Sequence, residues 1–383
     1  LLRPQAEAFG GGRRGLLCRF VGFGGFQSAR KNGGRIRNPP YVTTASHSTA
    51  AEIPFAPAFL PFAKEHRSRD NINVRQSGDP QDLAWRCPNC GSGLVSLDPD
   101  TQSCPAEGFT YRREQGIWRF LTPPRAAYYD RFSSDYLTVR KAEGRGSCDP
   151  EYYRALPFRD LSRNFTREWH IRAKSYEAFV GEVLAKREST GRRLEVLDLG
   201  AGNCWFSNRI ATLGHVPTAV DLLDDVEDGL GAHGHYQTSF RVVQAEFDRL
   251  PFADGQFDLV VFNGALHYST NYEATLGAAM RQMRPDGFLV VMDSPIYSDS
   301  DSGVQMLRER ARLFQRKYGL ASDSLPSRGF LTCAQLERLA CVLGLHWQFI
   351  KPRYGWSWAL RPVWARLLQR REPAIFLLII GTR

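Results

Sequence analysis

Apolar residues in the second half of the chain come in short runs separated by amphipathic stretches, the pattern of strands alternating with helices. The runs at 196–199, 216–221, 241–246, 257–263 and 288–293 predict five strands; the second ends at Asp221, the third at Glu246 and the fourth at Asn263. A helix is predicted over 164–186, where Phe165, Trp169, Arg172, Tyr176, Phe179 and Val183 recur at three- and four-residue steps, with Asn164 as its cap. A second helix covers 272–283 and stops at Arg284-Pro285-Asp286-Gly287. The chain closes with a helix (332–343), a strand (346–351), a basic helix and a final strand in the apolar run 374–380. That run is far short of the ~18–20 residues needed to cross a bilayer, so no membrane span is expected. The alternation predicts an open, doubly wound α/β sheet in this half of the chain. Ligands of such sheets bind at the carboxyl ends of the strands.

The stretch 196–207 reads VLDLGAGNCWFS: a buried strand, a turn built on Gly200, Ala201 and Gly202, then a helix. Glycine lets backbone approach a ligand closely because it has no Cβ. A dinucleotide needs G-x-G-x-x-G, and the third small position here is Trp205, whose indole argues against NAD or FAD. S-adenosylmethionine has no phosphate and suits the D-x-G-x-G pattern better. Asp221, at the end of the second strand, can accept hydrogen bonds from ribose hydroxyls.

This order of elements resembles the class I S-adenosylmethionine-dependent methyltransferases, particularly the branch with a Leu-Pro-Phe segment after the third strand, here Leu250-Pro251-Phe252. The resemblance covers about residues 164–383. It implies a Rossmann-like, doubly wound seven-stranded sheet with an antiparallel last strand. It implies that Asp198, Gly200, Ala201, Gly202 and Asn203 hold the methionine end of the donor and Asp221 the ribose, with Leu222 and Asn263 also in the cofactor site. Glu246 stands where the family usually has Asp, facing the adenine amino group, with Phe247 against the ring. Cys204 stands where the family usually has a third glycine.

Composition and charge alter this picture little. The net charge is +10, but residues 1–80 hold 12 Lys or Arg against 5 Asp or Glu, a net +7, which leaves only +3 for the rest. The basicity belongs to the leading segment, whose Gly, Arg, Ser and Ala show no apolar period and predict no packed fold. The chain starts at Leu1 and its first Met is Met280, as in an incomplete or over-extended reading frame. That acid-poor start also resembles an organelle transit peptide, and it lacks the apolar core of a secretory signal. Asn38-Pro39-Pro40-Tyr41 spells a motif of amino-methylating enzymes, but far from a fourth strand, so it is read as chance. Five of the eight cysteines are scattered, which fits a reducing, cytoplasmic setting.

The other three lie in a small module at 81–122. Cys87-Pro-Asn-Cys90-Gly is a zinc-knuckle sequence; the second knuckle begins at Cys104-Pro105 and has Glu107 where a fourth cysteine is expected. Two readings stand: Glu107 supplies an oxygen ligand to structural zinc, or the site has decayed and Phe109, Tyr111 and Trp118 hold the ribbon by packing. Residues 123–163 mix aromatics and charges without a clean period. They are either a connector or a lid carrying Tyr128, Tyr136, Arg140 and Glu143. A polar insertion at 299–330 contains one helix and lies where the family places substrate recognition.

The resemblance implies in-line methyl transfer, for which the protein aligns the nucleophile and excludes water. His267 is the base candidate if the acceptor must lose a proton, with a structural role at the strand end as its alternative. Tyr268, Asp293 and Tyr297 are weaker candidates. Three functions follow: a methyltransferase acting on a small-molecule acceptor, a ribosomal RNA base methyltransferase using the ribbon to bind RNA, or a non-catalytic donor-binding protein. The near-neutral domain favours the first; the ribbon, with four arginines against four acidic residues, is no basic patch. Acceptor and oligomeric state lie beyond the sequence.

Overall fold

In the computed structural model, which describes residues 83–188, 191–321 and 324–383, the predicted strands form the middle of a larger sheet. They are β5 (Glu195–Leu199), β6 (Val216–Asp221), β7 (Arg241–Gln244), β8 (Phe257–Asn263) and β9 (Met283–Met292). The C-terminal strands are β12 (His346–Ile350) and β13 (Leu378–Thr382). Their order is β7-β6-β5-β8-β9-β13-β12, with β13 antiparallel to both neighbours and β5 to β9 parallel. This is the Rossmann-like seven-stranded arrangement expected. Every residue of β8 is buried, as a central parallel strand covered on both faces requires. The third strand stops two residues before Glu246, and the last begins four residues into the apolar run.

The ribbon adds four more strands to the same sheet: β1 (Val95–Asp98), β2 (Thr101–Ser103), β3 (Thr110–Glu114) and β4 (Ile117–Arg119). A two-residue turn with positive φ at Gln115 and Gly116 joins β3 to β4. β4 then lies parallel to β7, pairing Ile117, Trp118 and Arg119 with Val242, Val243 and Gln244. Trp85, Tyr111, Trp118 and Phe120 pack with Phe252 of the Leu-Pro-Phe segment in one aromatic cluster. The described part of the 81–122 module therefore shares sheet and core with the large domain, and the residues from Leu83 onward fall in one compact unit.

The helices are α1 (Pro123–Ala142), α2 (Pro150–Ala155), α3 (Thr166–Phe179), α4 (Trp205–Thr212), α5 (Tyr272–Gln282), α6 (Ser300–Tyr318) and α7 (Cys333–Leu343). The aperiodic connector is thus largely a 20-residue helix, α1. It starts on the Pro123-Pro124 pair and contains no breaker. α3 runs on through a π turn at Val180–Leu184 to Ala185–Glu188. Asn164 does not cap it: Phe165 is the cap residue, and Asp160 accepts the Phe165 N–H (2.7 Å) and the Thr166 hydroxyl (3.3 Å) instead. β10 (Ile296–Tyr297) and β11 (Leu331–Thr332) pair in parallel and bracket the insertion. The leading segment and Asn38-Pro39-Pro40-Tyr41 lie outside the described residues.

Candidate active site

The carboxyl ends of β5, β6 and β8 open into a cavity of about 220 Å³. Its floor is the loop after β5. Gly200 has φ +79°, and its N–H and that of Ala201 donate to the Val220 carbonyl (2.8 and 3.0 Å). A Cβ on Gly200 would stand 2.3 Å from that of Ala265 and 3.2 Å from the Phe247 ring, so only glycine fits. At Gly202 (φ +52°) an added Cβ would meet nothing within 4 Å. Cys204 is buried with φ +62°, a left-handed backbone that explains the glycine usual at this position; it costs a thiol-bearing residue about 1–2 kcal/mol. Burial pushes that thiol well up, reinforced by Asp198 and Asp221. Trp205, the residue that argued against a dinucleotide, meets Trp169 edge to face (6.0 Å), and both line the cavity.

Asp198, expected at the methionine end of the donor, is fully buried behind the loop and does not line the cavity. One carboxylate oxygen accepts the Ser207 hydroxyl (2.7 Å) and the other has no partner. Burial, with the Asp221 charge added, raises its carboxyl to about 7. Asp221 accepts the N–H groups of Gly202 (2.8 Å) and Leu223 (3.0 Å), and burial raises it too. The buried Asn263 amide oxygen lacks a partner. Asn203, Leu222 and Phe247 also line the cavity. Unpartnered buried oxygens and carboxyls held above their ordinary range form a site short of a cation and of hydrogen-bond donors. The sulfonium, ammonium and ribose hydroxyls of S-adenosylmethionine supply both, so the residues fit that donor.

Glu246 departs from its expected place. It is buried outside the cavity lining, clamped by the Arg125 guanidinium (2.8 and 2.5 Å) and the Tyr129 hydroxyl (2.9 Å). A buried carboxylate needs a cation, and α1, absent from the predicted elements, supplies it. Asp248 lines the cavity in its stead and accepts the Thr275 hydroxyl (2.5 Å).

His267 and Tyr268 sit on a 3₁₀ turn (Leu266–Tyr268) that lines the cavity beyond β8. The His267 Nδ1 is buried without a partner, and its backbone carbonyl accepts the Gly329 N–H (2.8 Å). Burial, with Arg310 and Arg172 nearby, lowers the imidazole to about 3. In this environment the imidazole is a weak base. Asp293 also lines the cavity, at φ +54°, with Ser175 donating to one oxygen and the other unpartnered. Tyr297 does not reach the cavity; its hydroxyl accepts from Arg371 (3.2 Å).

α1 roofs the cavity. Tyr129, Phe132 and Tyr136 face it with Arg140, which makes a double hydrogen bond to Asp228. Of the lid candidates, Tyr136 and Arg140 line the cavity. Tyr128 lies exposed against Arg125, and Glu143 binds Arg145 (2.6 Å) in an adjoining chamber. Sequence reasoning missed Arg125, Tyr129 and Phe132; the proline pair opening a breaker-free stretch was the available signal. Arg172 and Trp169, placed on the predicted helix over 164–186 with no site role, both line the cavity.

In the ribbon, ligand atoms of Cys87, Cys90, Cys104 and Glu107 all lie within 4.8 Å of one another. The Cys90 and Cys104 sulfurs are 3.5 Å apart, and Cys87 Sγ is 3.4 Å from Glu107 Oε2. Three thiols and a carboxylate converging this way fit a tetrahedral metal.

Comparison with known proteins agrees with this geometry. Residues 197–291 match the family model described as a methyltransferase domain. Residues of the chain are 33% identical over 107 positions to malonyl-[acyl-carrier protein] O-methyltransferase of Erwinia pyrifoliae, covering 28% of this chain and 40% of that protein. They are 30% identical over 121 positions to the ubiquinone/menaquinone biosynthesis C-methyltransferase of Shewanella pealeana, covering 28% and 45%. The matches thus span less than half the length of these two relatives. Among solved structures, magnesium protoporphyrin IX methyltransferase from Synechocystis superposes with a TM-score of 0.39 at 14% identity, covering 67% of this chain and 99% of that one. The sheet order, the crevice and the family match define the class of the central segment: a class I S-adenosylmethionine-dependent methyltransferase domain.

Proposed function

We propose that the protein transfers the methyl group of S-adenosylmethionine to a small-molecule acceptor. The observation that carries this reading is the crevice itself, where Gly200 admits no side chain and Asp221, Asn263 and Asp293 line the cavity with their oxygens. The bound donor supplies a methyl on a good leaving group. The protein's own part is alignment and exclusion of water, performed by the aromatic roof of α1 and the Trp169–Trp205 wall. The two relatives above are named for different reactions, O-methylation of malonyl-[acyl-carrier protein] and C-methylation in ubiquinone/menaquinone biosynthesis, so their names leave the acceptor open and the pocket carries the reading. Arg125, Arg140 and Arg145 are each ion-paired, whereas Arg172, which lines the cavity near His267, has no ion pair among the described residues. An anionic group on the acceptor suits it. RNA suits the ribbon poorly, since Arg86, Arg113 and Arg119 are each paired with an aspartate. In the ribbon we assign Cys87, Cys90, Cys104 and Glu107 to structural zinc.

The test is incubation with radiolabelled S-adenosylmethionine and a cell extract, followed by fractionation into RNA, protein and small molecules. Label in small acidic compounds is the expected result, and label in RNA overturns the acceptor assignment.

A further inference from the structure

The connection between β12 and β13 turns apolar side chains outward. It forms two short helices, α8 (Trp356–Ala359) and α9 (Arg361–Leu367), that share Leu360 as cap. Trp356 is the most exposed large apolar side chain among the described residues, at 87%, with Leu367 at 69% and Trp364 at 58%. Leu360, Val363 and Leu368 are also exposed. Positions 356, 360, 363, 364, 367 and 368 follow the three- and four-residue steps of one helix face, so the stripe that would ordinarily be buried faces solvent. The other side is tied down: Trp358 packs on Tyr354 and Phe376, and Arg361 stacks on Trp358 and donates to the Ala374 carbonyl (3.1 Å).

Charge says what covers the stripe. From Lys351 to Arg371 the chain has six basic residues and no acidic one. Lys351, Arg353, Arg366 and Arg370 are exposed and have no ion pair among the described residues. An apolar stripe with tryptophans, edged by unpaired arginines, is the chemistry of a segment lying in the interface of an anionic bilayer. A second copy would set these charges against their own kind. The location has a consequence as well. β12 runs parallel to β9, because both are antiparallel to β13, so the connection leaves at the sheet end where the crevice opens. Just before α8, the Tyr354 hydroxyl is 2.9 Å from that of Ser175, which donates to Asp293 in the cavity.

We propose that the segment from Trp356 to Arg370 docks the protein peripherally on an anionic membrane surface, with the crevice end of the sheet nearest the lipid. The test is sedimentation of the full chain with vesicles of phosphatidylcholine alone, or with about one third phosphatidylglycerol. Binding is expected to the anionic vesicles, and to weaken severalfold as salt rises to about 0.5 M. Trp364→Ser with Leu367→Ser, and separately Arg366→Glu with Arg370→Glu, should each weaken binding roughly tenfold. Donor affinity by calorimetry should stay unchanged in both, which shows that they fold. The proposal is overturned if the parent stays in the supernatant, or if both double variants bind like the parent, as they would through the basic leading segment. Dimers in the ultracentrifuge that dissociate on Trp364→Ser with Leu367→Ser, without vesicle binding, assign the stripe to a second copy and also overturn it.

Discussion

The crevice and the ribbon share one sheet and are finished to different degrees. In the ribbon the aromatic rings stack and the arginines at 86, 113 and 119 each meet an aspartate. Its backbone frames the loop after β7: Phe120 N–H donates to Gln244, Arg86 N–H to Pro251, and Ala84 accepts from Ala253. In the crevice, oxygens of Asn263 and Asp293 are buried without partners, and Asp293 and, in the loop beneath, Cys204 hold left-handed backbones. Each unsatisfied buried group costs about 1–3 kcal/mol. The ribbon has an unpartnered buried group as well, the Trp118 indole N–H, and a left-handed residue at Gln115; the difference is that the crevice's unpartnered groups include carboxylate and amide oxygens lining a cavity. Within the ribbon, the convergent thiols and Glu107 are the part that asks for a ligand too.

The largest effect expected is from Gly200→Val, which drives a side chain into Ala265 and Phe247; donor affinity by calorimetry should fall by more than about 100-fold. Gly202→Ala meets no atom and carries only backbone strain, so its loss should stay within about tenfold. Equal losses would break the distinction between a closed floor and an open rim.

Trp118→Ala in the ribbon should cost about 3–5 kcal/mol of stability in denaturant unfolding. Donor affinity of the folded fraction should change less than about threefold, since Trp118 does not line the cavity. A large affinity loss at unchanged stability would make the ribbon part of the site.

Removing metal by chelation should lower the melting temperature by several degrees, and Cys104→Ser should abolish that sensitivity. Identical melting curves with and without chelator would mean that packing alone holds the ribbon.

The smallest effect concerns pH. Burial, with the Asp221 charge added, raises the Asp198 carboxyl to about 7, and since Asp198 lies outside the cavity lining its titration bears on stability. A carboxyl raised on folding contributes stability at acid pH that is lost as pH rises through about 7. His267, lowered from 6.5 to about 3, contributes stability above its ordinary value that is lost as pH falls toward about 3. His267→Gln should therefore remove part of the acid destabilisation in denaturant titrations.

The strands at 216–221 and 257–263 were legible residue for residue, because buried parallel strands are continuous apolar runs bounded by polar turns. The helices at 272–282 and 333–343 were legible within a residue, with Asn271 and Thr332 as caps. α1 was missed although Tyr129, Phe132, Tyr136 and Val139 recur at helical steps, because Tyr128 and the charged residues interleaved with them blur the period over the whole segment. Without that helix Arg125 was invisible as the partner of Glu246, which lies 121 residues away in the chain.

By itself the sequence determined the strand segments, the glycine loop, the carboxylate that ends the second strand and the cysteine spacing, since each depends on neighbours within a few residues. Only the tertiary structure decided that the ribbon extends the sheet, that Glu246 turns to Arg125, that His267 is held neutral, and that a tryptophan stripe faces outward. Those outcomes depend on which distant surfaces meet and on how much water their meeting removes. Burial and charge pairing across the fold are set by that geometry, and no local pattern encodes them.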